Sequence, residues 1–333
     1  MKAVIPTAGE GTRLRPFTHT VPKVLLRVAD KPILQHIIDK LIDVGVEEVT
    51  CVVGYLGKQI EAFVRETYPD LPTNFVEQEE PRGLGHAIHL TAEHHRADDS
   101  PLLIILGDTI IDADLSELKD AGRNMIGVRE VDDPSRFGVV EVEDDRILSM
   151  VEKPEDPPSN LAIVGVYYLT QAAPVYDALA KSVEREETTK GEIQLTDALQ
   201  KALDEGFEMH TFSVSGWHDC GTPESLLETN RNMLEQRFPK VSEEFQAKYP
   251  TIRVHPPVYI APSADISDSI VGPNVSIGEG VKLKRSIVRN SILNEKSSVQ
   301  NVILADSIIG SEARVRESSL RMNVGAQSEV IFD

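Results

Sequence analysis

The sequence is poor in cysteine and has no long apolar run. Its 333 residues include two cysteines, Cys51 and Cys220, which lie far apart in the chain. Cysteine this sparse does not suit a disulfide framework, so we expect a reduced, cytoplasmic setting. No apolar run approaches the roughly 18 residues that a membrane span needs, so we expect no membrane-spanning segment. Residues 1–6 lack the apolar region of a signal peptide, and we interpret them as the first core strand.

Basic residues are also few: 34 Lys and Arg stand against 54 Asp and Glu, for a net charge of −20. A nucleic-acid-binding protein normally has the opposite balance or a basic stripe, and we find neither here. Exposed charges are screened over about 10 Å at moderate salt, so a few cations in a cleft suffice to bind a small anion. The acidity therefore argues against nucleic acid as a partner and leaves a phosphorylated small substrate open.

The first two thirds of the chain alternates short apolar runs with amphipathic segments. Such alternation predicts an α/β fold with a doubly wound, mainly parallel sheet and helices on both faces. The predicted strands, bounded by Gly, Pro or Asp, are 3–5, 49–53, 74–76, 102–106, 125–131, 138–142, 147–152 and 161–169. The predicted helices are one that begins at Pro32 and others at 57–67, 84–95, 172–182, 195–205 and 223–236.

The pattern changes after a proline-containing break at residues 237–257. Beyond it, aliphatic residues recur every six positions. One such series is Val275, Val281, Ile287, Leu293 and Val299. This period predicts a small left-handed parallel β-helix with three hexads per coil, whereas a strand meander would show a period of two. Irregularities near Arg285 and Ser318 indicate loops or a change of register.

These patterns predict an α/β domain at 1–238, a linker at 239–256 and a β-helix of hexapeptide-repeat type at 257–333. Each coil of a β-helix buries its apolar edge only against its neighbours. A stack this short is therefore expected to lean on the first domain or on another subunit, as in a homo-oligomer.

A glycine-rich loop follows the first predicted strand and contains Gly9, Gly11 and Arg13. Glycines let backbone N–H groups approach a phosphate, and an arginine binds phosphate oxygens in pairs. The loop is not a Walker sequence and lacks the third glycine of a dinucleotide fingerprint. Taken alone, it is either a phosphate-binding loop or a tight structural turn.

The loop does not stand alone, because a Pro-Lys at Lys23 and a Lys-Pro at Lys31 follow it. This succession resembles the signature of the sugar-1-phosphate nucleotidylyltransferases, and the likeness extends in outline over the whole chain. The resemblance implies a transferase of nucleotide-sugar biosynthesis with a Rossmann-like nucleotidyltransferase domain at 1–238. Its expected partners are a nucleoside triphosphate, dTTP or UTP, and a sugar-1-phosphate, glucose-1-phosphate first. Its expected cofactor is Mg²⁺.

The resemblance also implies which residues form the site. The implied catalytic cations are Arg13, Lys23 and Lys153. The implied metal ligands are Asp108 and Asp219. The implied nucleotide-binding residues are Ala8, Gly9, Gly11, Thr12, Gln78 and Gly83. The implied sugar-phosphate-binding residues are Gly138, Glu152, Lys153 and Trp217.

Several of these residue types suit their roles on chemical grounds. A glutamine such as Gln78 both donates to and accepts from a pyrimidine edge. Asp108 ends a predicted strand, at the sheet edge where open α/β folds bind ligands. The family often has Asn after this aspartate, whereas this chain has Thr109. Trp217 is equally a candidate for the wall of the sugar pocket and for the core.

Four alternatives stay open. Pro6 and the segment 83–87 resemble UTP users, whereas an appended β-helix resembles thymidylyl-, guanylyl- and adenylyl-type relatives. GTP with mannose-1-phosphate, or another sugar, is a second alternative. A non-catalytic regulatory member that binds a nucleotide sugar is a third. An acyltransferase site in the β-helix is the least favoured, because no histidine follows His255 to act as a general base.

Overall fold

A nine-stranded sheet forms the centre of the first of two units, Met1–Thr229, in the computed structural model. The structure describes residues 1–240 and 250–317. The strands of this unit are β1 (Lys2–Pro6), β2 (Arg27–Val28), β3 (Lys31–Pro32), β4 (Glu48–Val53), β5 (Thr73–Glu77), β6 (Leu102–Ile105), β7 (Thr109–Ile111), β8 (Asn124–Glu130), β9 (Gly138–Glu143), β10 (Arg146–Glu152), β11 (Leu161–Leu169), β12 (Met209–Ser213) and β13 (Trp217–Asp219).

The α-helices flank this sheet and connect its strands. They are α1 (Ile33–Asp43), α2 (Gly57–Thr67), α3 (Leu84–His89), α4 (Ala92–His95), α5 (Glu117–Asp120), α6 (Ala173–Glu184), α7 (Leu195–Asp204) and α8 (Pro223–Arg237). Short 3-10 helices lie at Thr12–Leu14, Phe17–His19, Lys23–Leu25 and Pro134–Arg136. Helices α3, α6 and α7 contribute buried side chains to one apolar cluster with the strands, so the core of this unit lies between sheet and helices.

The strand order is β5-β4-β1-β6-β11-β8-β12-β10-β9. The pairs β5–β4, β4–β1 and β1–β6 are parallel, as the doubly wound prediction requires. Strand β11 runs antiparallel to both β6 and β8, and β9 with β10 forms an antiparallel pair joined by a short turn. The sheet is therefore parallel in its first half and mixed beyond β6. The carboxyl ends of β1, β4 and β6 meet at one edge, where the loops of the candidate site leave the sheet.

Most predicted elements are confirmed, two of them at both ends, but the predicted helix 84–95 is two helices. Thr91 lies between α3 and α4 and is fully buried. Its hydroxyl donates to the carbonyl of Ile88 at 2.8 Å and hydrogen-bonds the hydroxyl of Tyr176 at 2.7 Å. These side-chain bonds compete with continuation of the helix, a tertiary effect that apolar periodicity does not reveal.

The start of the first predicted helix is also shifted. Pro32 is not the first helical residue, because it pairs with Arg27 in a two-stranded sheet and immediately precedes α1. The apolar face of α1 is as predicted, with Ile33, Ile37 and Leu41 buried. The packing face of this helix was thus readable from the sequence, whereas the conformation of its first residue was not.

Both cysteines are free and fully buried in the sheet region, so they form no disulfide. Burial raises the pKa of the Cys51 thiol and of the Cys220 thiol to about 12, so both stay protonated at neutral pH. Among the described residues, no helix is long and apolar enough to cross a membrane.

The second unit, Asn230–Asp333, contains three parallel four-stranded sheets within its described residues, 230–240 and 250–317. Its strands are β14 (Arg253–Val254), β15 (Val258–Ile260), β16 (Asp265–Ser267), β17 (Ile270–Val271), β18 (Val275–Ile277), β19 (Lys282–Lys284), β20 (Ile287–Arg289), β21 (Ser291–Leu293), β22 (Ser298–Gln300), β23 (Ile303–Ala305), β24 (Ile308–Ile309) and β25 (Arg314–Arg316). Each strand pairs in parallel with the strand that comes three strands later in the chain, as β14 does with β17, which confirms the predicted β-helix.

The six-residue period holds for part of the inward face, since Val271, Ile277 and Leu283 are fully buried, but it does not hold at every corner. Ile287, a member of the predicted series, is 38% exposed, whereas its neighbour Val288 is fully buried. Ile270 pairs with Ile287, 17 positions on, and Ile287 pairs with Ile303, 16 positions on, so a coil is shorter than three full hexads.

The shortening has a local cause at corners of the coil. Asp268, Arg285 and Asn301 occupy one corner of successive coils with φ of 50°, 48° and 56°, and Asn290 and Asp306 occupy a second corner, in the coils that repeat after 16 positions, with φ of 41° and 50°. These left-handed residues turn the chain in five positions instead of six between successive inward side chains. The predicted irregularity near Arg285 is thus a recurring turn, and the one near Ser318 lies outside the described residues.

The predicted boundaries 1–238, 239–256 and 257–333 stay predictions. The compact units of the structure divide between Thr229 and Asn230. Residues 241–249, which include half of the predicted linker, lie outside the described residues.

Because the coil is shortened, we expect alanine substitutions at two members of the six-residue series to lower the free energy of unfolding by different amounts. Leu293→Ala should lower the free energy of unfolding by about 2–5 kcal/mol, because Leu293 is fully buried. Ile287→Ala should cost less than about 1 kcal/mol, because Ile287 faces outward. Urea unfolding of the full chain, followed by circular dichroism, measures both. Equal losses for the two variants would contradict the inward register described here.

Candidate functional site

Two cavities of about 400 and 520 Å³ adjoin at the carboxyl edge of the sheet. The smaller one, lined by the loop of residues 8–13, is called here the glycine-loop cavity. The larger one is called the Lys153 cavity. The residues that line both cavities at once are Arg13, Leu84, Leu106, Asp108 and Glu192. A ligand with two parts can therefore occupy both cavities and meet at Arg13 and Asp108.

The glycine loop is held to the sheet at its start. Thr7 donates to the carbonyl of Val52 through its backbone N–H at 2.8 Å and through its hydroxyl at 2.7 Å. A Cβ at Gly9 would meet nothing within 4 Å, so the backbone there faces open space. Gly11 has φ of 63°, and a Cβ there would lie 2.9 Å from the Cβ of Lys23. Gly9 keeps backbone groups accessible to a ligand, and Gly11 allows the turn to pack on Lys23.

Lys23 lies beneath the loop and pairs with Asp108. Its ammonium is 2.6 Å from Oδ2 of Asp108, and the lysine side chain is only 10% exposed. Burial alone would raise the pKa of Asp108, but the charge and hydrogen bond of Lys23, helped by the charge of Arg13, hold it below its ordinary value. Asp108 is therefore ionised at neutral pH.

Asp219 lies beside Asp108 because strands β7 and β13 pair. Asp219 faces Thr109 in that pairing, and the next residue, Cys220, donates its N–H to the carbonyl of Asp108 at 3.0 Å. Burial, and then the charge of Asp108, raises the pKa of Asp219, against the opposing charges of Lys23 and Arg13. The two carboxylates therefore build up negative charge at the junction of the cavities.

This junction suits a divalent cation completed by ligand oxygens. Among residues 1–240 and 250–317, no group of three or more His, Cys, Asp or Glu side chains is placed to hold a metal ion alone. Asp108 and Asp219 supply hard oxygen donors, and Mg²⁺ commonly uses one or two carboxylates plus waters and substrate phosphates. The raised pKa of Asp219 reflects its burial first and the charge of Asp108 second, and a cation there would lower it.

Glu152 ends β10 and Lys153 follows it, and both line the larger cavity. The Glu152 carboxylate accepts from the Thr196 hydroxyl at 2.7 Å and lies 3.2 Å from the Lys153 ammonium. A Cβ at Gly138 would lie 2.9 Å from the Thr196 hydroxyl and 3.1 Å from Glu152, so only glycine allows this close approach. The predicted pair and the predicted glycine thus share one wall of the cavity.

The backbone of Lys153 is unusual and is fixed on both sides. Its φ is 44°, in the left-handed region that a non-glycine residue seldom adopts. Its N–H donates to the carbonyl of Phe137 at 2.9 Å, and its own carbonyl accepts from the ammonium of Lys190 at 2.7 Å. Lys190 therefore adds a second cation near Lys153, one that the sequence reasoning did not name.

Trp217 combines the two roles that the sequence left open. Its ring packs edge-to-face on Phe137 with centroids 5.0 Å apart, and it also lines the Lys153 cavity. Its indole N–H is buried without a hydrogen-bond partner among the described residues. The neighbouring His218 lines neither of the two cavities.

Every predicted site residue lines one cavity or the other. In the glycine-loop cavity lie Ala8, Gly9, Gly11, Thr12, Arg13, Lys23, Gln78, Gly83 and Asp108. In the Lys153 cavity lie Gly138, Glu152, Lys153, Trp217 and Asp219, again with Arg13 and Asp108. The structure therefore brings the predicted residues together, while their individual roles stay predictions.

The sequence reasoning missed other residues of the linings. Arg136 sits in a 3-10 turn whose preceding residue, Asp133, caps it by accepting from the N–H of Ser135 at 3.1 Å. The Asp-Pro-Ser pattern there is a readable capping signal. Alternation was the second readable signal, because buried Ile193 and Leu195 separate three polar lining residues: Glu192, Gln194 and Thr196.

Comparison with known proteins relates this chain to a family of nucleotidyl transferases. The profile described as nucleotidyl transferase matches residues 2–236. The chain is 32% identical over 342 residues to a glucose-1-phosphate thymidylyltransferase of Streptomyces antibioticus, covering 96% of this chain and 94% of that protein. It is 35% identical over 245 residues to a UTP–glucose-1-phosphate uridylyltransferase of Haloferax volcanii, covering 71% and 98%. A solved UDP-glucose pyrophosphorylase complexed with UDP-glucose matches 71% of this chain and 99% of that chain, with TM-score 0.62 and 28% identity.

The two loop glycines are expected to respond differently to an added methyl group. Gly11→Ala should lower the free energy of unfolding by about 1–3 kcal/mol, because its φ is positive and the new Cβ would meet Lys23. Gly9→Ala should leave stability within about 0.5 kcal/mol, because its Cβ would face open space. Thermal unfolding of both variants tests this, and a large loss in Gly9→Ala would show that the loop packs differently.

Proposed function

The chain belongs to the nucleotidyl transferase family, and we propose that it transfers the nucleotidyl group of UTP or dTTP to a sugar-1-phosphate with release of pyrophosphate. Glucose-1-phosphate is the sugar phosphate we propose first, in keeping with the names of its relatives. The observation that carries the proposal is the junction of two cavities at Arg13 and Asp108, with Asp219 beside Asp108 in the Lys153 cavity. One cavity suits a base and triphosphate, and the other suits a sugar phosphate.

The reaction depends mainly on the positioning of two anions, the nucleoside triphosphate and the sugar phosphate. An oxygen of the sugar phosphate attacks the α-phosphorus, and the bond from that phosphorus to the departing pyrophosphate oxygen breaks in line. The attacking oxygen is already anionic near neutral pH, so no general base is required. Accordingly, the side chains at the cavity junction are cations and carboxylates, which orient phosphates and stabilise charge.

Each cation of the site has a proposed task. The backbone N–H groups at Gly9 and the guanidinium of Arg13 hold the departing pyrophosphate. The ammonium of Lys153 binds the phosphate of the sugar phosphate, and Glu152 accepts from sugar hydroxyls. Lys23, on the other side of Asp108, contributes positive charge beneath the nucleotide phosphates.

We propose that Asp108 and Asp219 would hold Mg²⁺, which would supply positive charge that neutralises the negative charge developing on the leaving side. The adjacent ionised Asp108 and the raised pKa of Asp219 support this choice of ligands. Lys23 keeps Asp108 deprotonated and oriented through its 2.6 Å contact.

A single assay distinguishes the proposed function from two rival functions. A regulatory member would bind a nucleotide sugar without making it, although every charged residue that the chemistry needs lies in the cavities. A guanylyl- or mannose-type enzyme would differ only in substrate. Pyrophosphate release from UTP, dTTP, GTP and ATP, each with glucose-, mannose-, galactose- and N-acetylglucosamine-1-phosphate, separates these cases. dTTP and UTP differ by one methyl group, worth about 1–3 kcal/mol, so use of both is the expected result.

We also propose a cellular compartment and an oligomeric state for the protein. Two buried, free thiols support a reducing, cytoplasmic compartment. Ile270, Ile287 and Ile303 are exposed on adjacent strands of one sheet, which supports a homo-oligomer through the β-helix. Sedimentation of the purified chain measures the oligomeric state directly.

Loss of either metal carboxylate should abolish most turnover without unfolding the chain. Asp108→Asn and Asp219→Asn are each expected to lower kcat by about 10²–10³, because one preorganised charge is removed. Asp70→Asn, an exposed residue outside both linings, is the matched control and should retain the parent rate. Near-parent turnover of UTP and glucose-1-phosphate by both test variants would disprove the metal assignment.

Loss of Lys153 should weaken only the sugar-phosphate half of the site. Lys153→Met is expected to raise the KM for glucose-1-phosphate by about tenfold or more and to leave the KM for the nucleotide nearly unchanged. Lys58→Met, an exposed lysine outside both linings, serves as control. A rise confined to the nucleotide KM would mean that the two cavities are assigned the wrong way round.

A further inference from the structure

The side-chain amide of Gln78 is bonded inside the protein through its nitrogen. Gln78 is 8% exposed and lines the glycine-loop cavity. Its Nε2 donates to the carbonyl of Gly83 at 3.2 Å and lies 3.0 Å from Nδ1 of His86. The two hydrogens of the amide therefore have two partners within the chain.

The carbonyl of Gly83 decides which way round this amide lies. A carbonyl oxygen only accepts, so the opposite amide orientation would set two oxygens against each other. Nε2 must therefore face Gly83, and its second hydrogen points to His86. It follows that Nδ1 of His86 accepts and that the ring proton is on its Nε2.

The state of His86 agrees with this arrangement. Burial, followed by the charges of Arg82 and His89, lowers the pKa of His86 below its ordinary value, against a smaller opposing effect of Glu80. The ring is therefore neutral at neutral pH, with a lone pair on Nδ1.

The backbone around the amide is fixed as well. The N–H of Gln78 donates to the carbonyl of Val53 at 2.8 Å. Gly83 has φ of 105°, and a Cβ there would lie 2.7 Å from the carbonyl of Ile193. The N–H of Ile193 donates to the carbonyl of Arg82 at 2.8 Å, which ties the Gly83 turn to the opposite wall. Gln78 and the carbonyl that orients it thus have little freedom to move apart.

What remains for a ligand is the oxygen of the amide. Among the described residues no hydrogen bond reaches Oε1 of Gln78, although both amide hydrogens are engaged. The side chain therefore faces the cavity as an acceptor. The ring N3 of uracil and thymine carries a hydrogen and donates, whereas N3 of cytosine is an acceptor and would oppose Oε1.

We propose that His86 is a positioning residue that sets the choice of pyrimidine by accepting the second amide hydrogen of Gln78 and so presenting Oε1 to the base. The inference rests on the proposed nucleotidyl transfer and refines it. Uracil and thymine nucleotides are the class it selects, and cytosine nucleotides are the class it rejects. Without His86 only the 3.2 Å bond to Gly83 opposes a flip of the amide, so the flipped orientation, which turns Nε2 toward the acceptor N3 of cytosine, costs less.

Two variants of similar size test this role. Oδ1 of asparagine lies as many bonds from Cβ as Nδ1 of histidine, so His86→Asn keeps an acceptor in the same place. His86→Leu removes the acceptor with nearly the same shape. The measured quantity is the ratio of kcat/KM for UTP to kcat/KM for CTP with glucose-1-phosphate. The ratio should fall by about tenfold or more in His86→Leu, and His86→Asn should recover most of it.

A double variant separates positioning from mere packing. In a Gln78→Leu background there is no amide to orient, so adding His86→Leu should leave the UTP to CTP ratio unchanged. If the leucine variant of His86 does not fold, His86→Ala replaces it, since alanine suits helix α3 and also lacks an acceptor. Circular dichroism and melting temperature establish folding in each case.

The outcomes distinguish this inference from the proposed function. A parent protein that turns over no nucleoside triphosphate with any sugar phosphate overturns both. A parent that uses UTP, with a His86→Leu variant whose two kcat/KM values fall equally, overturns the inference alone. A falling ratio that His86→Asn fails to recover also overturns it, because the acceptor would then not be the cause.

Discussion

The contact on which the candidate site depends is the ion pair between Lys23 and Asp108. The 2.6 Å contact joins the segment that follows the glycine loop to the turn between β6 and β7, two parts of the chain that are 85 positions apart. Gly11 packs directly on Lys23, and Asp108 lies at the junction of both cavities. The position of the loop, the ionisation of Asp108 and the wall between the cavities therefore all involve one buried ammonium.

Local charge, not net charge, determines what this protein can bind. The chain carries a net charge of −20, yet Arg13, Lys23 and Lys153 converge on the two cavities. Screening limits the reach of the distant acidic surface to about 10 Å, whereas a few partly buried cations act at contact distance. Asp108 and Asp219 place two carboxylates beside these cations, and carboxylate oxygens are ligands that Mg²⁺ commonly uses together with substrate phosphates.

Much of the architecture was predictable because its signals are short in range. Helix α2 and strand β11 match their predicted ends, and the candidate residues line the two cavities as the motif resemblance implied. The failures have tertiary causes. Thr91 divides a predicted helix because its hydroxyl bonds Tyr176, 85 positions away. Ile287 faces outward because a five-residue corner at Arg285 shifts the inward face to Val288.

The sequence by itself determined the alternation of strands and helices, the β-helix and the glycine-loop motif, since each depends on neighbours within a few residues. Only the tertiary structure decided that Asp219 lies beside Asp108, that Lys190 fixes the backbone of Lys153, and which way the amide of Gln78 is turned. The physical reason is that ion pairs and hydrogen bonds act over about 3 Å in space, between groups far apart along the chain. No local pattern specifies which such groups will meet.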